Sequence, residues 1–427
     1  MPAPDPTERL PVEILLQVFD LFTLRELALF SSINRRWRAA VAGHPGYFAR
    51  PTLESTSLSA VSQITRSRGK SWDVAVIVLE PFPALETAVL PAIATCLDDV
   101  EVLTVDVYFS HAQAVFRFLR GSASSLRRLQ LYYRGATESV SVTLPGDILC
   151  CAASGRNLQT LLLLDVDIPA ELSPALRSIQ NLAFGKRPRE SRTNLHALAH
   201  AFPAVRDVTL TDRVLPSPIA ASYWPEQWQH LESLMFTVGQ HRLRRAIRCL
   251  PLSGVAHLTT MHTNEATLSY ILPQLRGSLD MGVKNVGWGR FVIHLTSRSS
   301  GLVRSLYKFV TNWSPPRLVP HSLLTLEAVM GRVLSLIIPA TLWNLLIPRM
   351  MECPSLTHLT LVLTDDGCIS TISADGSQQK DPIFPDLHIL TLAGVPGIRV
   401  DVADVTRFVL ERLSPRSPLH LRLQGME

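Results

Sequence analysis

The sequence predicts an α/β repeat fold, with a three-helix unit over residues 5–50 followed by an irregular solenoid of parallel strands over residues 51–427. Three observations point there. A short strand signal, with apolar residues at its first, fourth and sixth positions, recurs along most of the chain. Helical stretches lie between the signals. The first fifty residues lack the signal and carry three short amphipathic helices instead.

The strand signals begin as Val100, Leu103 and Val105, then Leu126, Leu129 and Leu131, then Leu158, Leu161 and Leu163. They continue as Ile179, Leu182 and Phe184, then Val205, Val208 and Leu210, then Leu231, Leu234 and Phe236. They return as Leu356, Leu359 and Leu361, and as Leu387, Leu390 and Leu392, with a weaker set at Val333, Leu336 and Ile338. The first five intervals are 26, 32, 21, 26 and 26 residues, a period that fits one strand and one returning segment per unit. Helical stretches such as Ala112–Leu119, Leu195–Ala201, Leu243–Leu250 and Ala266–Leu275 supply returns. A unit this small cannot bury its apolar face alone, so strand, helix and strand at this period imply parallel strands stacked side by side. Prolines in Phe202-Pro203, Cys353-Pro354 and Phe384-Pro385 announce several strands, a position that costs no ladder hydrogen bond. Residues 262–332 carry no clean repeat, and Asp365–Pro382 reads as a polar inserted loop.

This pattern is similar to the leucine-rich-repeat family in an irregular form. That family usually has Asn or Cys three residues after the last strand leucine. Here those positions hold Arg134, Val166, Arg213, Gly239, Thr364 and Val395, so a regular horseshoe is not expected. The alternative is a helical solenoid or a mixed α/β domain.

In the N-terminal unit, Pro11 suits a first helical position, and Glu13 sits in the first turn where the helix dipole favours a carboxylate. Ile14, Leu15, Val18, Phe19 and Phe22 form a broad apolar stripe. Thr23-Leu24-Arg25-Glu26 matches a capping box, with Phe22 and Leu27 as its hydrophobic staple. A third helix is expected from Ser31 or Ser32, with Ile33, Trp37 and Val41 on one face, and Gly43 and Pro45 stop it. Three helices in so few residues make a poor independent core and need something to lean on.

The run Leu10-Pro11, Glu13-Ile14-Leu15-Leu16, Val18-Phe19, Glu26-Leu27, Ile33 and Arg35-Arg36-Trp37-Arg38 resembles the F-box pattern without a gap. The resemblance implies docking on a Skp-family adaptor, which attaches to a cullin scaffold. Its contact set, carried over by position, is Leu10, Pro11, Ile14, Leu15, Val18, Phe19, Leu27, Ile33 and Trp37. Asn34 and Leu24 depart from the family at peripheral positions where cysteine and proline are common. An F-box followed by irregular leucine-rich repeats resembles F-box families of mushroom-forming fungi. A cap closing one end of a solenoid is the bland reading of the same segment.

Bulk properties agree with a well-buried chain. Of 427 residues, 47% are hydrophobic and 18% charged, and the net charge of +5 does not single out nucleic acid. The six cysteines, at 96, 150, 151, 249, 353 and 368, form no C-x-x-C, so a reduced cytoplasmic or nuclear setting is expected. The first residues lack the pattern of a signal peptide, and the most apolar window, Val333 to Ile347, is too short to span a bilayer.

Catalytic and cofactor motifs are wanting. His196 and His200 share a helical face but have no third ligand beside them. Gly69-Lys70-Ser71 lacks the earlier P-loop glycine, because position 64 is Ile64. Gly287-Trp288-Gly289 has no third glycine opening a helix. The basic run from Arg242 to Arg248 reads as a solvated helix face without aromatic platforms. The expectation is therefore an adaptor and not an enzyme, with no cofactor or metal, an unidentified target protein, no membrane and no nucleic acid. A repeat scaffold that binds protein or nucleic acid without any ligase role is the alternative.

Overall fold

A computed structural model describes residues 10–22, 24–44, 52–54, 72–78, 82–135, 142–149, 157–169, 174–185, 195–211, 228–237, 243, 247, 252–261, 265–287, 290–309, 326–347, 353–365, 369–370, 372, 384–413 and 415–425. The chain divides into two compact units, Met1–Val208 with Pro225–Trp228, and Thr209–Trp224 with Gln229–Glu427. The expected boundary at Arg50–Pro51 lies outside the described residues.

In the first unit, three helices precede β1 (Thr52–Glu54), β2 (Trp72–Ile77), β3 (Val100–Tyr108), β4 (Arg128–Arg134), β5 (Val142–Thr143), β6 (Thr160–Leu164), β7 (Val166–Asp167) and β8 (Asn181–Gly185). The division between units falls inside β9 (Asp207–Thr211). The large sheet runs β1-β2-β3-β4-β6-β8-β9, while β5 and β7 pair separately. Pairing is parallel from β1 through β8. Like positions meet across it: Leu103 faces Leu129, Leu129 faces Leu161, and Leu161 faces Leu182.

The second unit holds β10 (Ser233–Thr237), β11 (His257–Thr260), β12 (Leu279–Gly287), β13 (Arg290–Ser297), β14 (Val303–Phe309), β15 (Val333–Pro339), β16 (His358–Val362), β17 (Ile389–Ala393) and β18 (His420–Gln424). Their order is β10-β11-β14-β13-β12-β15-β16-β17-β18.

All nine apolar triads of the sequence pattern are buried, each residue at most 3% exposed. The first residue of each triad ends a turn, and the other two point inward from the strand. The proline turns close by an i to i+3 hydrogen bond: the Val205 amide donates to the Phe202 carbonyl, that of Leu356 to Cys353, and that of Leu387 to Phe384. Pro203, Pro354 and Pro385 therefore occupy the second turn position, which their fixed φ suits. Between neighbouring turns a backbone ladder repeats. The Arg127 carbonyl accepts from the amides of Gln159 and Thr160, Gln159 from Gln180 and Asn181, and Gln180 from Arg206 and Asp207. The Thr357 carbonyl likewise accepts from His388 and Ile389. These carbonyls bind neighbouring turns to one another through the backbone.

The expectation of uniformly parallel strands is corrected at one place. β13 is antiparallel to both β12 and β14, whereas β14 is parallel to β11 and β12 to β15. The cause is loop length. Only residues 288–289 separate β12 from β13, and a parallel crossover needs about a dozen residues or more. A second correction concerns the expected polar loop at Asp365–Pro382, because Ile369 and Ile372 are helical and buried. The helical expectations hold for Ala112–Phe118, Leu195–Ala201 and Glu265–Ile271. Of the stretch Leu243–Leu250, Leu243 and Ile247 are described, both helical and buried.

Arg304 is fully buried on β14, in register with Leu258 on one side and Leu295 on the other. Its guanidinium donates to the carbonyls of Leu252, Val255, Ala256 and Val303 and to the Gln274 side-chain oxygen, at 2.9–3.2 Å. Burial pulls its pKa down to about 10, so it stays charged at neutral pH. A cation here serves carbonyls that an aliphatic side chain would leave orphaned. Arg304→Met is expected to destabilise the protein by at least about 2 kcal/mol in urea unfolding, because each orphaned buried acceptor costs about 1–3 kcal/mol.

The inward rows give a second expectation. Leu161→Ala and Leu359→Ala should each cost about 2–5 kcal/mol through the cavity left behind. Thr360→Ala, on the outward face of β16, should cost less than about 1 kcal/mol in the same titration.

Candidate functional site

The N-terminal helices are α1 (Val12–Phe19), α2 (Leu24–Phe30) and α3 (Arg35–Gly43). Pro11 lies one residue before α1, and its carbonyl accepts from the amides of Ile14 and Leu15. Glu13 occupies the first turn as expected. The start of α3 is corrected from Ser31 or Ser32 to Arg35. Asn34 is its cap, with its side-chain oxygen 2.8 Å from the Trp37 amide. A short polar acceptor at this position satisfies a donor that the helix cannot pair internally. The capping box proposed at Thr23 falls on a residue outside the described set.

Leu15, Phe19, Leu27, Ala40 and Val41 form the interior of the unit, with Leu16, Phe30 and Trp37 packed against it. Phe19 is the hub. Its ring centroid lies 6.0 Å from Phe30, 5.4 Å from Trp37 and 6.0 Å from the His44 ring. Phe22, expected to staple to Leu27, instead meets Phe30 edge-on at 4.8 Å. His44 is buried, and its Nε2 lies 3.1 Å from Asp20 Oδ1, which ties the end of α3 to the end of α1. The Arg36 guanidinium donates to the Leu10 carbonyl, and Arg38 Nε to the Ser31 carbonyl at 2.9 Å.

The structure divides the nine-residue contact set. Leu10, Pro11, Ile14, Val18 and Ile33 are exposed, Ile33 at 56%. Leu15, Phe19 and Leu27 are at most 2% exposed and lie in the interior of the unit. Trp37 is half-buried between Phe19 and Phe30. Four further apolar residues are exposed that the motif reading did not include: Val12, Leu21, Phe22 and Leu29. For α1 a signal of two apolar faces is present. At about 100° per residue, Ile14, Val18, Leu15, Phe19, Val12 and Leu16 spread over roughly 200° of α1, wider than a stripe serving one core. The same helix therefore has an inner apolar face and an outer one.

The remaining motifs fall largely outside the described residues. His200 is exposed on its helix, and among the described residues no group of His, Cys, Asp and Glu could hold a metal ion. Gly287 ends β12, and residues 288–289, like Gly69-Lys70-Ser71 and the arginines of 242–248, lie outside the described residues. Among the described residues no helix is long and apolar enough to cross a membrane.

Two variants test the interior assignment. Asn34→Ala should cost about 1 kcal/mol of stability through loss of the cap. Leu15→Asp should abolish the folded N-terminal unit, because the carboxylate would be buried without a partner. Circular dichroism and protease sensitivity of the first fifty residues report both.

A search of curated proteins returns no match to this chain. Residues 7–45 match the family model described as F-box-like, over a span that holds all three helices and both apolar faces of α1. F-box domains generally bind the Skp adaptor of cullin-based ubiquitin ligases, and the F-box-like domain gives this chain a general adaptor character.

Proposed function

We propose that the chain is a substrate-recognition adaptor. Its three-helix F-box docks on a Skp-family adaptor, and residues 51–427, an irregular leucine-rich-repeat-like solenoid, hold a target protein. Ubiquitin transfer is the work of other subunits, and this chain contributes proximity between the target and the charged carrier. No catalytic group is required of it.

The observation that carries this reading is the exposed apolar surface of the N-terminal unit. Leu10, Val12, Ile14, Val18, Phe22 and Ile33 are exposed on a three-helix unit whose interior is already supplied by other side chains. Apolar surface of this extent on so small a unit marks an interaction site.

Ile14→Asp and Ile33→Asp should each weaken capture of a Skp adaptor by about thirtyfold or more, the equivalent of about 2 kcal/mol for a central apolar anchor. Far-ultraviolet circular dichroism should stay unchanged, since both side chains are already exposed. Pull-down of the co-expressed adaptor measures the first quantity. Unaltered capture by both variants would remove the docking assignment and favour a repeat scaffold with no ligase role. Trp37→Ala should lower capture together with the melting temperature, because Trp37 also packs on Phe19 and Phe30.

A further inference from the structure

β18 is the last strand of its sheet, and among the described strands it pairs only with β17. All five of its residues, His420 to Gln424, are exposed. On its inward side, Leu421 and Leu423 stand in register with Leu390 and Leu392, which are fully buried. Those in turn face Leu359 and Leu361, also fully buried. Leu421 and Leu423 thus occupy core positions of the ladder and are nevertheless 49% and 63% exposed. They border a groove of about 160 Å³ whose other walls include Leu392, Ile398, Val402 and Val405.

The outward side has a different character. β16, β17 and β18 contain no acidic residue. His420 and Arg422 both project from β18, and Arg422 makes no ion pair among the described residues. β18 itself contains no proline, lysine or bulge, and Arg422 is its one permanently charged side chain.

We propose that this edge of β18 takes an extended segment of a target protein in which apolar and acidic residues alternate. The segment adds to the sheet as a further strand. Its backbone pairs with the outer amides and carbonyls of β18, its apolar side chains fill the groove beside Leu421 and Leu423, and its carboxylates face His420 and Arg422. Alternation follows from the period of two along any strand. A second copy of this chain is the wrong occupant. Antiparallel pairing centred on the strand sets Arg422 opposite Arg422, and like charges directly opposed are destabilising. The proposal rests on the reading that residues 51–427 hold a target, and names the chemistry of what is held.

The test uses the full chain in complex with a Skp adaptor and a short fluorescein-labelled peptide alternating valine with aspartate. Anisotropy should report binding, and the matching valine–lysine peptide should bind about tenfold more weakly or worse. Arg422→Glu should reverse that preference, and Leu421→Gln with Leu423→Gln should abolish binding of both peptides. Amide exchange should slow across residues 420–424 when the aspartate peptide is added. Equal binding of the two peptides, an unchanged preference in Arg422→Glu, or no added protection in β18 would each overturn the proposal. So would self-association of the chain in sedimentation that Leu423→Gln removes. Adaptor capture is read in parallel: its loss in the parent chain would count against the adaptor reading alone, and a failed peptide test against this edge alone.

Discussion

Parallel pairing of like positions is the constraint on which the strands of both units depend. Because Leu103 faces Leu129, Leu129 faces Leu161 and Leu161 faces Leu182, one position in each repeat becomes a continuous apolar row. The same holds for Leu336, Leu359 and Leu390 in the second unit. A slip of one residue would turn every member of such a row toward solvent, so the rows fix the register. The turns before the strands then have little freedom. Their buried first residues, Phe202, Cys353 and Phe384, anchor them to the interior. Burial also pushes the Cys353 thiol up to about 12, so this side chain acts as a small apolar plug.

The antiparallel strand β13 is an exception that the same constraint accommodates. It lies between β14 and β12, each of which is parallel to its other neighbour, so the hairpins sit within the sheet without reversing the strands on either side. Ile293 and Leu295 of β13 are buried and keep the apolar rows unbroken. The place where a row changes chemistry is Arg304. A charge in a leucine row is tolerable only because its hydrogen bonds run to several backbone carbonyls that need donors. Deleting a buried ion that satisfies other groups leaves those groups exposed to the same penalty it was relieving.

Most of the strand pattern was legible in the sequence, since the triads mark residues that are buried without exception. Burial at period two is a local property, and local properties leave a trace in a single chain. The hairpins were not read. For the β12–β13 hairpin the trace in the sequence is Gly287-Trp288-Gly289, since two residues between apolar runs is the length of a tight turn. Arg304 gave no sign, because the carbonyls it serves lie up to 52 positions away in sequence. In the N-terminal unit the family motif named apolar positions without distinguishing those that build the interior from those that face out. Leu15 and Ile14 are neighbours in the chain, equally apolar, and opposite in role. Only packing against α2 and α3 separates them. Asn34, treated as a departure from the family, proved to be the cap that starts α3.

The two surfaces singled out as interaction sites differ in what a partner must bring, and the difference follows from backbone hydrogen bonding. On α1 the amides and carbonyls between the helix ends are paired within the helix, so a partner meets only side chains: Ile14, Val18 and their neighbours. Such a face selects by shape and apolar contact, and helices that interdigitate with it satisfy their own backbone first. At β18 the amides and carbonyls of one side have no partner strand among those described, and they lie beside exposed leucines. A helix laid there would leave those groups without partners, whereas an extended chain pairs with them and fills the groove together. The rows of leucine that order the sheet therefore also decide the chemistry of its end. Wherever the row stops with side chains still exposed, the surface that remains has the pleat, the spacing and the alternation of a strand, and what fits it best is another strand.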